Sequence, residues 1–253
     1  MTVVAESSGG QVPPRSLALL WEPERTGGRR GQSSLDVRQI VQAALEIADA
    51  RGLSALSMRR IADQLGVGTM SLYTYVPGKA ELIDVMVDTV YGELGYPEQQ
   101  AADWRSQLVR IAEDNWALYH RHPWLLQVAS HRSVPGPNAL AKYDYELSVV
   151  SGLGLSEAEM DSVLALVLGH VEVTARHSVA MRAAEPDGDR TGKPAALSGL
   201  PVQRRYPTAS RVAAAAGRMF DSALSPEQAF SFGLERILDG IAVLISSRGR
   251  AHR

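Results

Sequence analysis

Residues 57 to 79 constrain the fold of this chain more than any other segment. They predict two short helices joined by a turn. The apolar face of the first helix ends at Leu65, and Gly66 follows where helices often finish in a left-handed residue that only glycine adopts cheaply. The second helix, from about 69 to 76, is very short and has Leu72 as its inward anchor. Two such helices are typical of a helix-turn-helix, whose second helix fits the major groove of DNA.

A longer amphipathic helix is predicted on each side of this pair. The preceding helix is expected to be capped by Ser33 or Ser34 and to end at Gly52, and one of its faces is apolar throughout. The following helix is expected to begin near Lys79, after a Pro-Gly pair that breaks the chain. We therefore place a helical DNA-binding domain at residues 34–95.

The segment LGVGTMSLYTYVPGKAEL follows an amphipathic helix that ends in ARGL. It resembles the DNA-binding domain of the TetR (tetracycline-repressor) family of transcriptional regulators over roughly residues 35 to 90. Near the C-terminus, FSFGLERILDGIAVLI also resembles the last helix of the TetR branch whose C-terminal domain is similar to that of the tetracycline repressor itself. The resemblance implies an all-α protein with an N-terminal three-helix head that contains the helix-turn-helix. It also implies a C-terminal helical bundle for ligand binding and dimerisation.

The resemblance also assigns candidate DNA contacts. Arg59 aligns with the family's base-contacting arginine, and an arginine there can hold guanine O6 and N7 or a phosphate. The alternative for it is a surface arginine that contacts only solvent. Positions that match DNA contacts of the family on and after the second helix are Thr69, Met70, Ser71, Tyr73 and Thr74, and those that match backbone contacts are Tyr75 and Lys79. We expect Thr69 and Met70 to set the operator sequence, and Tyr73 and Lys79 to contact phosphates.

Residues 1–33 are rich in Gly, Pro, Ser and Arg and have no periodic apolar face, so we expect a flexible basic arm. Within this arm only residues 16–21, SLALLW, could dock on the folded protein. Arg29 and Arg30 lie just before the first helix of the head and could enter the minor groove beside the operator. The alternative is an unstructured tail that helps solubility.

The net charge of −2 is unusual for a DNA-binding protein until it is divided along the chain. Nine Lys and Arg stand against six Asp and Glu from Arg15 to Lys79, whereas residues 81–253 hold 17 against 21. The basic excess therefore lies with the predicted DNA-binding head. An excess of this size is also compatible with ordinary fluctuation.

Residues 96–250 are expected to be helical, because no stretch alternates polar and apolar residues with period two. Ser156 and Glu159 form the pattern of a capping box and predict the start of a long helix. A flexible loop over 184–207 follows this helix, and the last helix is expected to begin at Pro226. This part of the chain therefore predicts a separate helical domain.

Aromatic and polar side chains interrupt the apolar faces of this second domain, which suits a pocket for a planar or amphipathic small molecule. The candidate ligand contacts are Asn115, Tyr119, Trp124, His131, Tyr143, His170, Thr174 and His177. The alternative for each is a place in the core or in an interface. His131 lies in the region where the tetracycline repressor has a magnesium-holding histidine, but Val173 aligns with the expected acidic residue. The resemblance therefore does not extend to a tetracycline–magnesium ligand.

The last helix has an apolar face wider than a capping helix needs, so we expect it to build a four-helix dimer interface together with the long helix at 156–181. The candidate interface residues are Phe230, Leu234, Ile237, Leu238 and Ile241. A dimer is also expected because one short helix contacts too few base pairs to find a site in a genome, and a two-fold pair doubles the contacts.

Several other classes of protein are disfavoured. The chain has no cysteine, which excludes disulfides, thiolate zinc sites and cysteine nucleophiles. Nucleophile-elbow, Walker and H-E-x-x-H motifs are absent from the sequence, so we expect no enzyme, no cofactor and no metal site. His170 and His177 share a helix face and leave a helical metal enzyme as a minor alternative. The longest apolar stretch is too short to span a membrane and no signal-peptide core is present, so we expect a soluble cytoplasmic protein.

The function that we expect is transcriptional regulation. A homodimer would bind double-stranded operator DNA as a repressor, and a small-molecule effector would release it. The main alternative is a ligand-independent DNA-binding activator or architectural protein, which would have no pocket.

Overall fold

The computed structural model describes residues 14–21, 35–95, 103–128, 135–184, 205–212 and 225–251. These residues form helices and contain no β-strand, which confirms the prediction of an all-α fold for the described part of the chain. The first five helices are α1 (Pro14–Trp21), α2 (Val37–Arg51), α3 (Met58–Leu65), α4 (Thr69–Tyr73) and α5 (Lys79–Tyr91). Further helices follow, namely α6 (Trp104–Arg121), α7 (Pro137–Ser148), α8 (Glu157–Ala184) and α9 (Pro226–Ala251). Short 3₁₀ turns cover Leu53–Ala55 and Pro123–Gln127.

The contacts divide the chain into two compact units, and each is described by itself. The first unit contains the described residues up to 95 together with 117–128 and 135–149. The second contains residues 103–116 together with the described residues from 150 onward. The predicted head at 34–95 is therefore only part of the first unit, because a later stretch of the chain packs with it.

The core of the first unit combines the head helices with residues far along the chain. Ile40, Ile61, Leu72 and Leu82 are all inaccessible to solvent. The same cluster includes side chains from the end of α6 and the turn after it, namely Leu118, Trp124 and Leu125. Complete burial of a large apolar side chain contributes about 1.5–3 kcal/mol, so these later residues stabilise the head.

Part of the predicted flexible arm is folded. Leu19 and Leu20 on α1 are 3% and 6% exposed and belong to the core of the first unit. The indole N–H of Trp21 donates to the carbonyl oxygen of Pro135 at 3.2 Å. The sequence singled out residues 16–21 as the part of the arm that could dock, and α1 confirms this expectation. Two adjacent leucines are enough to dock a short helix, but they are too few to show a helical period in the sequence.

Specific residues cap the start of α2 and the end of α3. Asp36, rather than Ser33 or Ser34, caps α2, because its carboxylate accepts the N–H of Gln39 at 2.7 Å. The Gln39 side chain in return accepts the N–H of Asp36 at 3.0 Å, which completes a capping box. Gly66 ends α3 with a φ of 67°, the left-handed conformation that the sequence predicts.

The start of α7 lies against α5 in the first unit. Asp88 on α5 is 5% exposed, and its carboxylate accepts the backbone N–H groups of Asn138 at 3.4 Å and Ala139 at 2.8 Å. Burial raises the pKa of Asp88, and these hydrogen bonds oppose the rise without cancelling it. The carboxylate thus satisfies backbone donors that a helix leaves open at its first turn.

The second unit is built mainly on the packing of α8 against α9. Their facing residues are buried and include Val163, Val167, Val171 and Ala175 on α8 and Phe230, Leu234, Leu238 and Ile241 on α9. Glu159, near the start of α8, accepts hydrogen bonds from the N–H of Ser156 and from Arg248 near the end of α9. These bonds lower the pKa of Glu159 to about 2, so its charge persists into acid.

Candidate nucleic-acid interface

The turn between α3 and α4 is built by local hydrogen bonds and two buried anchors. After Gly66, the N–H of Val67 donates to the carbonyl of Ala62 at 3.0 Å, which folds the chain back. Leu72 on α4 and Val76 after it are inaccessible to solvent. The helix ends at Tyr73, earlier than the predicted residue 76. Thr74 and Tyr75 continue it as a turn, and Val76 lies outside any helix, as expected for a residue before proline.

The outer side of α4 carries most of the predicted DNA contacts. Met70 is 78% exposed and Tyr73 is 44% exposed, and Ser71 and Thr74 are exposed beside them. This surface presents an apolar thioether, two hydroxyls and a phenol to solvent within five residues. Such groups can meet base edges, thymine methyls and phosphates in a major groove.

Two other predicted contacts are less accessible. Thr69 is half-buried at the start of α4. Tyr75 is also half-buried, and it packs against the core of the first unit. Its ring therefore anchors the turn after α4, and only part of its surface remains for a backbone contact.

Lys79 has a structural partner that the sequence did not predict. Its Nζ donates to the carbonyl oxygen of Leu53 at 3.2 Å, which joins the start of α5 to the 3₁₀ turn before α3. An ammonium group has three donors, so this bond leaves donors for a phosphate. The contact holds the charge in place beside α4 at the start of the next helix.

Arg59 is exposed on the first turn of α3. Ser57 caps this helix by accepting the N–H of Arg60 at 3.2 Å. The neighbouring Arg60 side chain is held by the carbonyl oxygen of Ala55 at 2.6 Å. Arg29 and Arg30, the predicted arm contacts, lie outside the described residues.

The position of α3 is set from its polar side by α2. The side chain of Gln64 donates to a carboxylate oxygen of Glu46 at 2.7 Å, and Gln42 donates to the other oxygen at 3.2 Å. An open groove of about 670 Å³ lies along this side and is lined largely by polar residues of both helices. These bonds hold α3 against α2 by polar contacts in addition to core packing.

The predicted ligand contacts are distributed over both units. Tyr119, Trp124 and Tyr143 belong to the first unit, whereas Asn115, His170, Thr174 and His177 belong to the second, and His131 lies outside the described residues. Trp124 is 1% exposed, and its indole N–H donates to Asp49 at 2.8 Å. Trp124 is therefore a core residue of the first unit. Spacing along the sequence did not reveal this division.

Three aromatic rings meet in the second unit around Phe230. The ring of Trp116 on α6 lies 4.5 Å from that of Phe230 on α9, and the ring of His170 on α8 stacks on it at 6.1 Å. The Nε2 atom of His170 lies 2.9 Å from the carbonyl oxygen of Phe230. A Cβ on Gly233 would lie 2.2 Å from the His170 ring, so only glycine permits this contact.

Two other polar candidates of this unit donate hydrogen bonds within their own helices. The Thr174 hydroxyl donates to the carbonyl of His170 at 2.7 Å, and the Asn115 amide donates to the carbonyl of Ile111 at 2.9 Å. His177 is exposed. Sequence reasoning missed Phe230 and Gly233 as neighbours of His170, although their F-x-x-G spacing places both on one side of α9.

Most of the predicted dimer residues are already buried within one chain. Phe230, Leu234, Leu238 and Ile241 are between 1% and 8% exposed, because they face α8. Little of these four side chains remains accessible to a second copy, whereas Ile237 beside them is half-buried. Exposed large apolar side chains lie on the outer faces of the same two helices, at Leu166 and Val173 on α8 and at Phe232 and Val243 on α9.

Two further properties concern only the part of the chain that the structure describes. None of its helices is long and apolar enough to cross a membrane. Its His, Asp and Glu side chains form no group of three or more that could hold a metal ion.

Two family models match the chain. The model of bacterial regulatory proteins of the tetR family covers residues 40–86, and that of the tetracyclin repressor-like C-terminal domain covers residues 96–245. The first match contains α3 and α4, which carry the exposed surface described above. This family consists of transcriptional regulators, which are not enzymes.

Individual relatives extend this similarity over almost the whole chain. The HTH-type transcriptional repressor DrrR1 of Streptomyces coeruleorubidus is 38% identical over 248 residues, which cover 96% of this chain and 90% of that protein. The class A tetracycline repressor protein from transposon 1721 of Escherichia coli is 26% identical over 215 residues, covering 83% and 92%. The structure of the Streptomyces coelicolor TetR family protein ActR in complex with actinorhodin superposes with a TM-score of 0.71 at 28% identity, covering 84% of this chain and 99% of that one. This chain therefore belongs to the TetR family, and it is a DNA-binding transcriptional regulator.

Proposed function

We propose that this protein is a homodimeric repressor that binds a two-fold symmetric operator and is released from it by a small molecule. The observation that carries the proposal is the exposed surface of α4, where Met70, Ser71, Tyr73 and Thr74 point away from the buried anchor Leu72. Exposed apolar and hydroxyl groups on a short, well-anchored helix have no structural role within the first unit. A DNA major groove is the partner that fits them.

The contacts divide into two kinds. Met70 and Thr69 lie at the start of α4, where the second helix of a helix-turn-helix meets base edges, so we assign them to the choice of operator sequence. Tyr73 and Lys79 are assigned to phosphates, and Arg59 to a base or a phosphate. The bond from Lys79 to Leu53 supports this role, because a side chain that is already held loses less conformational entropy when it binds.

The dimer interface is assigned to the outer faces of α8 and α9. Leu166 and Val173 are seven residues apart and therefore lie on the same face of α8, with exposed Gly169 between them. Phe232 and Val243 are 65% and 68% exposed on the face of α9 opposite its buried residues. Large apolar side chains at this exposure indicate contact with a partner, and a second copy would bury four helices together.

The effector is assigned to the second unit, and its chemistry is that of a planar aromatic molecule. Trp116 is half-buried beside Phe230 and His170, so an aromatic surface is present within this unit. The relative ActR has been solved with actinorhodin bound, which supports a small-molecule effector for this chain. A ligand-independent activator or architectural protein is the second candidate, and it would respond to no effector.

The test begins with selection of DNA fragments from a random pool by the purified protein. We expect fragments with two half-sites about one helical turn apart and inverted relative to each other. Substituting Met70 or Thr69 should change the selected sequence, whereas substituting the exposed Glu113 on α6 should not. Selection of unrelated fragments would contradict the proposed function. Since such a protein acts on chromosomal DNA, we also propose a cytoplasmic location.

A further inference from the structure

A buried charged cluster in the first unit takes no part in the DNA contacts described above. His122 directly follows α6 and is 5% exposed. Its Nδ1 lies 2.7 Å from Oδ1 of Asp49 on α2, and its Nε2 lies 3.2 Å from Oε2 of Glu93, two residues after α5 ends. The imidazole thus connects two of the helices that support α3 and α4.

The two contacts indicate which protons the ring carries. An ionised carboxylate can only accept hydrogen bonds, and a neutral imidazole has one N–H and one nitrogen lone pair. A lone pair that faced a carboxylate oxygen would be repelled by it. Both ring nitrogens must therefore carry hydrogen while Asp49 and Glu93 are ionised, and the ring is then a cation held by two charge-assisted hydrogen bonds.

The charged groups around the ring balance this positive charge. Glu93 also accepts a hydrogen bond from Arg121 at 2.6 Å, and Asp49 also accepts the indole N–H of Trp124 at 2.8 Å. Burial raises the pKa of Glu93, but the hydrogen bonds from Arg121 and His122 outweigh this and leave the pKa below its ordinary value. Two cations and two anions therefore meet at His122. Removal of one proton from the ring replaces one of its hydrogen bonds by a lone pair that faces a carboxylate. Each carboxylate side chain is 33% exposed and keeps its second donor, so the loss weakens the bridge without leaving a charge unpaired.

We propose that His122 is a positioning residue whose imidazolium fastens α2 and the end of α5 to the residues after α6, and that loss of its second proton weakens operator binding. The proposal rests on the DNA-binding function proposed above. The link acts on the head because α2 and α5 share one core with α3 and α4. Loosening α2 and α5 therefore disturbs the support of the exposed surface of α4.

The direction of the pH effect follows from the groups at the bridge. The bridge is complete while the ring is a cation and both carboxylates are ionised. It weakens as pH rises and the ring loses a proton, so stability and operator affinity fall toward alkaline pH. It also weakens in acid as Glu93 is protonated, and the lowered pKa of Glu93 moves this loss below the ordinary range of a glutamate.

The first measurement uses the full-length wild-type protein without DNA. Nitrogen-15 spectra of labelled histidine at pH 6 should show both ring nitrogens of His122 protonated, as its contacts with two carboxylates require. The signal is assigned by its loss in His122→Gln. A ring at position 122 that is neutral at pH 6 would overturn the proposal, and this result does not depend on the stability of any variant.

The second measurement is affinity for the selected operator fragment between pH 6 and 8.5 at constant ionic strength. We expect wild-type affinity to fall as the pH rises across this range. His122→Gln should bind more weakly at pH 6 and show a flat profile, because glutamine keeps a donor but does not titrate. Asp49→Asn should show the same flattening. A wild-type slope in His122→Gln would overturn the proposal.

Asp114→Asn is the matched control, because it removes a carboxylate from an exposed pair with Arg110 at 3.9 Å. It should keep the wild-type pH profile. Thermal unfolding across the same pH range separates the two proposals. A protein that binds no DNA but loses stability as the ring deprotonates would contradict the operator function and keep the bridge. An unchanged unfolding profile together with an unchanged affinity profile would overturn the bridge.

Discussion

A Cβ atom on Gly136 would lie 2.2 Å from Oδ1 of Asp88, so the start of α7 can approach α5 this closely only because residue 136 is glycine. Gly136→Ala should therefore push the carboxylate away from the N–H groups of α7 and destabilise the protein by about 1–3 kcal/mol. Chemical denaturation measures this loss. Gly95→Ala is the control, because a Cβ there meets no atom within 4 Å.

The raised pKa of Asp88 predicts a pH dependence of stability. The folded state binds its proton more tightly than the unfolded state does, because burial disfavours the charged form. Wild type should therefore gain stability relative to Asp88→Asn as pH falls through the raised pKa toward the ordinary value of 3.8. The difference between the two unfolding free energies at a series of pH values measures this gain. A constant difference would contradict the assigned cause.

Tyr73 and Lys79 should differ in how salt affects their variants. Lys79→Met removes a charge, so the slope of log K against log salt should fall by about 0.9 for one phosphate contact. Tyr73→Phe removes only a hydroxyl, and it should weaken binding to all sequences with the slope unchanged. Fluorescence titrations with operator DNA at several salt concentrations measure both effects. Because Lys79 also bonds to Leu53, the folded state of its variant is checked by circular dichroism.

Substitutions on the two sides of α9 should have different consequences. Leu238 is 1% exposed within the chain, so Leu238→Asp should prevent folding and give aggregates. Val243 is 68% exposed on the opposite face, so Val243→Asp should give a folded monomer that no longer binds the operator tightly. Sedimentation combined with circular dichroism separates the two outcomes. A folded Val243→Asp variant that still sediments as a dimer would place the interface elsewhere.

The N-terminal helix should contribute to stability rather than to solubility alone. Deleting residues 1–21 removes Leu19 and Leu20 from the core and should cost several kcal/mol, since one buried Leu→Ala change costs about 2–5 kcal/mol. Deleting residues 1–13 leaves α1 in place and should not alter the unfolding temperature. If the two deletions proved equally stable, α1 would have no role in the core.

Local signals predicted the parts of the fold that depend on few residues. Gly66 and the pair Ser156 and Glu159 act within four residues, and their roles were visible in the sequence. The sequence did not show which element packs against the apolar face of an amphipathic helix. The apolar stripe of α9 predicted burial correctly, but it could not tell contact with α8 from contact with a second copy.

In the candidate site, too, the sequence predicted local features but not contacts between distant residues. The exposed surface of α4 follows from one inward anchor, Leu72, and from the family pattern around it. Two hydrogen bonds join residues that are far apart in the sequence: Lys79 bonds to Leu53, 26 positions away, and His122 bonds to Asp49, 73 positions away. No local sequence pattern predicts either bond. The bond from the buried Trp124 to Asp49, 75 positions away, was likewise not visible in the sequence.

The place of Leu118, Trp124 and Leu125 in the core of the first unit limits how such regulators can be recombined. An exchange of DNA-binding heads between relatives at residue 95 would leave behind three side chains that complete the core of the transplanted head. The chimera would carry a mismatched core even though its visible boundary lies between two family segments. Specificity for DNA can therefore be transferred with fewer disturbed contacts when residues 117–128 and 135–149 move together with the head.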